Sequence, residues 1–193
     1  MDAAPAPPTY LLRPATLADV PALEQLIPLS VRTLQAASYS PAQMEAALGP
    51  VFGVDRHLIQ DGTYWVATHE GQVVACGGWS RRLAAFGGDA HQSGLEQFLN
   101  PAKDAARIRA FFVHPAHARR GLGRRLLQTC EAAAREAGFT RCMLVATLPG
   151  EPLYAAHGYA VQERYEVPLP DAPALPVVRM GRDLGSSPEK MVS

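Results

Sequence analysis

Residues 106–127, ARIRAFFVHPAHARRGLGRRLL, constrain the fold more than any other stretch of the chain. Ala106 to Pro115 reads as a strand that proline stops. From Gly121 onward, Leu122, Leu126, Cys130, Ala133 and Ala137 recur on one helical face. Gly138 stands where a helix ends in a left-handed residue, and Phe139 can close that cap hydrophobically. Arg141 to Leu148 follows as a buried-looking strand. A strand must therefore pass through a glycine turn into an amphipathic helix and return to a sheet.

The flanking sequence extends this pattern. Tyr10 to Arg13 predicts a short strand, and Pro14 to Ile27 a helix with Thr16 as its N-cap. Ser40 followed by Pro41 announces a second helix through Met44 to Leu48. Thr63 to His69 and Gln72 to Arg81 are β-rich runs joined by Glu70 and Gly71, a hairpin. A short helix ending at Gly158 and strands over Ala160 to Pro168 and Leu175 to Leu184 complete the chain. The order β-α-α-β-β-β-α-β-α-β-β implies a mixed sheet flanked by helices, in the α/β or α+β class.

A chain of 193 residues fits one domain, here 10–184, between a Pro/Ala-rich lead-in expected to be disordered (1–9) and a polar tail (185–193). Segment 82–103, broken by Gly87-Gly88 and Asn100-Pro101, reads as an insertion, and long loops in compact domains are often functional. Formal net charge is zero, which argues against nucleic-acid or membrane-surface binding, both driven by summed positive charge. No apolar run approaches the ~20 residues of a membrane span. The three cysteines, Cys76, Cys130 and Cys142, form no CxxC pair, and the N-terminus lacks the features of a secretory signal. A reduced, cytoplasmic protein is expected.

The local basic charge lies in Arg119, Arg120, Arg124 and Arg125, around Gly121 and Gly123. The first N–H groups of a helix have no intrahelical partner, and the helix dipole makes that end positive. Glycines let a phosphate approach the backbone, and arginines add charge-assisted hydrogen bonds. A helix start with merely solvated arginines explains the same spacing, so both readings stand on spacing alone. The dinucleotide fingerprint fails because Leu126 occupies its third glycine position, and the P-loop fails for want of Gly-Lys-Ser/Thr.

Val113-His114-Pro115, then ARRGLG (Ala118 to Gly123), then a helix, resembles the signature of the GNAT superfamily of N-acetyltransferases. Ala118 departs from the Arg or Gln usual at the first position, leaving Arg119 and Arg120 to supply that contact. The later Tyr154-x-x-x-Gly158-Tyr159 matches the family's second motif, and the likeness spans about Tyr10 to Leu184 in element order. The resemblance implies a mixed, mainly antiparallel central sheet flanked by helices. It also implies an acetyl-CoA-dependent enzyme moving an acetyl group directly to a primary amine.

By that likeness, the CoA pyrophosphate would sit on the backbone of Arg119, Arg120, Gly121, Leu122, Gly123 and Arg124. Its pantetheine arm would pair with the strand Phe111, Phe112 and Val113, where an N–H near Val113 would meet the thioester oxygen. Tyr154, at the family's tyrosine position, is the candidate general acid, with a helix tyrosine packed on the core as its plain alternative. No base is assigned: the strand offers Arg107 and Arg109, Asp104 precedes it, and Asp89, His91 and Glu96 lie in the insertion. Trp79 and Arg81 are candidates to border the acceptor, expected to be an amino-acid-like small amine. His114-x-x-His117 lacks a third ligand, so no metal is expected. Non-catalytic acyl-CoA sensing, a longer acyl donor, a protein acceptor and a homodimer remain open alternatives.

Overall fold

The structure is a computed structural model that describes residues 8–83 and 97–185. Seven strands form one sheet: β1 (Leu11–Pro14), β2 (Tyr64–His69), β3 (Gln72–Ser80), β4 (Ala106–Val113), β5 (Arg141–Thr147), β6 (Ala160–Leu169) and β7 (Ala172–Asp183). Their order across the sheet is β1-β2-β3-β4-β5-β7-β6. Every pairing is antiparallel except β4 with β5, the pair joined through a helical crossover. The mixed, mainly antiparallel sheet flanked by helices expected from the sequence is thus the observed fold.

Helices α1 (Val20–Leu34), α2 (Pro41–Ala47) and α3 (Arg56–Gln60) cover one face, and α4 (Leu122–Glu136) and α5 (Glu151–Ala155) the other. Strand alternation sends successive side chains to opposite faces. In β5, Cys142, Leu144 and Ala146 join Leu127, Cys130 and Ala134 of α4 in one core. On the other face, Leu23, Ile27 and Val31 of α1 pack with Val66, Cys76 and Phe112.

Two helical features depart from the sequence reading. The helix expected to end at Ile27 runs through Pro28 to Leu34. An internal proline costs about 3 kcal/mol, yet Leu26, Ile27 and Val31 are all buried on one face, and that burial holds the helix together beyond the proline. Helix α3 was not anticipated. Asp55 caps it, its carboxylate accepting the Leu58 N–H at 3.2 Å.

Candidate active site

Strands β4 and β5 pair only over Ala106–Ile108 and Cys142–Leu144, although both continue for several residues. Beyond Ile108 and Leu144 they separate, opening a cleft at their carboxyl ends. Parallel strands with a crossover helix place ligand clefts at such ends.

The wall on the β4 side is shaped by a bulge. Cys76 pairs with Phe112 but Gly78 pairs with Arg109, so β4 carries one residue more than β3 between these pairs. Ala110 takes φ +58°, and its carbonyl accepts the Tyr64 hydroxyl at 3.2 Å. Tyr64 is fully buried, which fixes the bulge from inside the core. Gly77 lies opposite: a Cβ there would stand 2.8 Å from the Phe111 ring, so only glycine admits that ring.

Beyond the bulge, alternate β4 residues address alternate neighbours. The His114 N–H donates to the Val74 carbonyl on β3 at 2.8 Å, which turns Val113 toward the cleft. The Val113 N–H donates to Ser30 Oγ of α1 at 3.3 Å. It is therefore engaged by a buried hydroxyl, a partner that sequence reading did not supply. Ser30 lies in the turn of α1 that follows Pro28, the stretch the periodicity left unassigned.

The glycine turn follows directly. Arg119 and Gly121 both adopt left-handed backbone, φ +62° and +80°. Helix bonding begins only when the Arg125 N–H donates to the Gly121 carbonyl at 3.0 Å. The backbone N–H groups of Arg119, Arg120, Gly121, Leu122, Gly123 and Arg124 find no acceptor among the described residues. A Cβ built on Gly121 would meet nothing within 4 Å, so the space over this turn is open. At Gly123 the added atom would stand 3.0 Å from Leu153, so that glycine instead lets α4 pack on α5.

Tyr154 reaches the cleft from the far side. Its ring meets Phe111 at 6.2 Å and Tyr159 at 5.9 Å, both edge-on. Burial raises its phenol well above the ordinary range, which keeps it protonated at neutral pH. The Tyr154 hydroxyl makes no hydrogen bond to a described residue. Tyr39, between α1 and α2, braces the end of β5: its hydroxyl donates to the Pro176 carbonyl at 2.7 Å and accepts the Leu148 N–H at 2.9 Å.

The remaining candidates are placed differently. Trp79 is buried, its ring 5.9 Å from Phe139 beneath α4, so it presents no face to an acceptor. Arg81 lies over Phe98 at 5.3 Å, and Arg82 over the same ring at 4.8 Å while pairing with Asp61 at 2.7 Å. Because β3 runs antiparallel to β4, Ser80 pairs with Arg107. The Arg81 end therefore lies about 20 Å along the strand from Val113, at ~3.3 Å per residue. Both ends of the expected insertion meet there, in a bridge between Arg82 and Phe98. Gly87, Gly88, Asp89, His91, Gly94 and Glu96 lie outside the described residues.

Arg109, which the sequence leaves unpaired, meets Asp55 at 2.7 Å with both side chains buried. That carboxylate is committed to its partner and offers no free base. All three cysteines are buried thiols, Cys76 and Cys142 pushed up to about 12 by burial. His117 packs with Tyr10, His69 and His114. No group of metal-ligating side chains occurs among the described residues, and none of their helices is long and apolar enough to cross a membrane.

A seven-stranded sheet splayed between its two parallel strands, with an open donor turn at the cleft mouth, is the frame of the candidate site. The model of the acetyltransferase (GNAT) family matches residues 29–159, and the chain belongs to that family. Among solved structures it is similar to a GCN5-related N-acetyltransferase from Rhodopseudomonas palustris, at 21% identity and TM-score 0.67, over 95% of this chain and 100% of that one. It is also similar to a GNAT family acetyltransferase from Brucella melitensis in complex with acetyl-CoA, at 17% identity and TM-score 0.54, over 94% and 92%. The ribosomal-protein-S18-alanine N-acetyltransferase from Escherichia coli aligns at 14% identity and TM-score 0.57, over 96% and 99%. No curated protein matches the sequence.

Proposed function

We propose that this protein is an acetyl-CoA-dependent N-acetyltransferase that acts on a primary amine of a small molecule. The observation that carries the reading is the run of six unpartnered backbone N–H groups from Arg119 to Arg124 under open space. Such groups at a helix start, with arginines beside them, suit a pyrophosphate. The cleft edge from Phe111 to Val113 suits a linear arm that adds to β4 as a further strand. Acetyl-CoA supplies an activated acyl thioester.

The chain's residues then have two tasks. A backbone N–H of the β4 cleft edge other than that of Val113, which Ser30 Oγ holds, polarises the thioester oxygen and favours attack by the amine. The new C–N bond forms as the C–S bond breaks, the amine gives up one proton, and the departing thiolate gains one. Tyr154, held neutral by burial, is a proton donor for that thiolate and not a base. An acyl-enzyme on cysteine is disfavoured, because thiols pushed this far up are poor nucleophiles at neutral pH.

Thiol release from acetyl-CoA against a panel of amines, amino acids and peptides tests the reading. Release with a small amine is expected. Tight CoA binding with no release for any acceptor would instead make the protein a sensor of acyl-CoA.

A further inference from the structure

A cavity of about 700 Å³ lies over the amino ends of β4 and β5 and the carboxyl end of β7. It stands apart from the cleft. Arg107, in its lining, is separated from Val113 by about 20 Å of strand, at ~3.3 Å per residue. Register builds its floor. Arg107 pairs with Met143, which pairs with Gly181, and Val145 pairs with Arg179. Cys142, Leu144 and Ala146 face α4, so Met143 and Val145 face the other way. Val145 and Tyr165 pack at the edge of the core beneath α1 and α2. Met143 is half-buried and joins none of the core clusters, so it offers apolar surface to the cavity. A Cβ on Gly181 would collide with the Gln162 amide, so this glycine lets that amide lie across the floor.

Three of the arginines in the lining have acceptors. Arg179 pairs with Glu163 at 2.7 Å, Arg182 pairs with Glu131 at 2.9 Å, and Arg141 donates to the Lys103 carbonyl. Arg107 is different. Its one hydrogen bond within the chain runs from Nη1 to the Ala105 carbonyl at 3.2 Å, and its Nε is buried without a partner. Its Nη2, which has no partner either, is open to the cavity. Of the acids nearby, Asp104 accepts the Asn100 N–H at 2.7 Å, and Asp183 lies exposed, paired in register with Arg141. Burial lowers the Arg107 pKa, with Asp104 opposing that shift and Arg179 adding to it, so a like charge acts on Arg107. A guanidinium without an acceptor in such a place costs free energy that a bound anion recovers.

We propose that this cavity is a second small-molecule site, which takes an organic carboxylate with its charged group on Arg107 and its apolar body along Met143 and Tyr165. A guanidinium fork matches a carboxylate in two parallel hydrogen bonds. Glu163 already balances Arg179, so one uncompensated cation is offered, which suits a singly charged carboxylate better than a phosphate dianion. The volume lies within the ~300–1,000 Å³ usual for small-ligand sites. A ligand there bridges β4, β5 and β7, whose register brings these side chains together. The proposal does not depend on acetyl transfer, because the donor turn from Arg119 to Arg124 follows the opposite end of β4.

The test titrates the full chain, without CoA, with phenylacetate, its neutral counterpart phenylacetamide, and inorganic phosphate, read by ¹H–¹⁵N correlation spectra. Phenylacetate should saturably shift the amides of Arg107, Met143, Arg179 and Gly181 and leave those of Arg119 to Arg124 in place. The amide and phosphate should bind at least ~10-fold more weakly, as loss of a charged hydrogen-bonded pair implies. Arg107→Gln should weaken phenylacetate about 10–100-fold. Arg107→Lys, which keeps the charge and loses the fork, should weaken it less. No saturable shift at these rungs, equal affinity for acid and amide, or unchanged affinity in Arg107→Gln would overturn the proposal. Phosphate binding there more tightly than phenylacetate would overturn the carboxylate assignment. Should Arg107→Gln fail to fold, the acid and amide titrations of the wild type and Arg107→Lys decide by the same criteria.

Discussion

The Val113 backbone N–H donates to Ser30 Oγ at 3.3 Å, across 83 residues of sequence. This bond joins α1 to the wall of the cleft. It satisfies an N–H that splaying of β4 and β5 leaves without a partner on β5.

Ser30→Ala should therefore cost about 1 kcal/mol in the ligand-free protein, the net worth of a part-buried hydrogen bond. If Val113 faces the pantetheine arm, bound CoA can supply the missing acceptor. The Tm gain on adding CoA should then be larger in the variant than in the wild type, as differential scanning fluorimetry would show. A smaller gain would mean that the Ser30 hydroxyl itself contacts the ligand.

At the mouth of the cleft, Gly121 combines φ +80° with open space above it. Gly121→Val should lower CoA affinity at least 10-fold by calorimetry, since its branched side chain occupies the approach to the donor turn. Backbone strain from the left-handed conformation adds about 1–2 kcal/mol to either substitution. Gly121→Ala, which carries the same strain with less bulk, should lose less. Equal losses would assign the effect to strain alone, and unchanged affinity in both would remove the turn from the site.

Much of this arrangement was legible beforehand because it is local. The strand, the glycine turn and the helix from Leu122 are consecutive, and their signals are a proline stop, two glycines and a single apolar face. What could not be read depends on contacts distant in sequence. Pro28 hid the last two turns of α1 and with them Ser30, because packing against the sheet carries this helix past its internal proline. The bulge at Ala110 needs Tyr64 and Gly77 from two other strands. Arg81 was the sequence candidate to border the acceptor, yet sheet register carries it to the far end of β3, over the ring of Phe98.

Acid stability should report on a different corner of the fold. Asp19 receives two bonds from the Arg13 guanidinium, at 2.8 and 2.7 Å, and the Thr16 N–H at 2.8 Å. The Arg13 bond foremost, and then the Thr16 N–H, lower its carboxyl to about 2 against the opposing effect of burial. A depressed carboxyl contributes stability that is present above the ordinary carboxylate pKa and is lost as pH falls through the folded value. Between pH 4 and pH 2 the wild type should thus lose stability that Asp19→Asn has already lost. Denaturant titrations of the two proteins should converge across that window, and a constant gap would show that the ion pair is not what lowers the carboxyl.

Chemistry at the cleft turns on whether Tyr154 does more than pack. Its ring lies between Phe111 and Tyr159, which would satisfy a purely structural role, and Phe in its place keeps those contacts. The hydroxyl alone is lost in Tyr154→Phe, so CoA affinity should change little. Turnover should fall about 100-fold, the scale of a positioned proton donor. An interaction made mainly in the transition state lowers kcat and kcat/KM together. Because burial holds the phenol above its usual range, the wild-type kcat should show no basic limb attributable to it near pH 10. The measurement is the pH profile of kcat in both proteins, under conditions where single-turnover rates establish that chemistry is limiting. Equal turnover there would leave Tyr154 as packing, and the thiolate would take its proton from solvent.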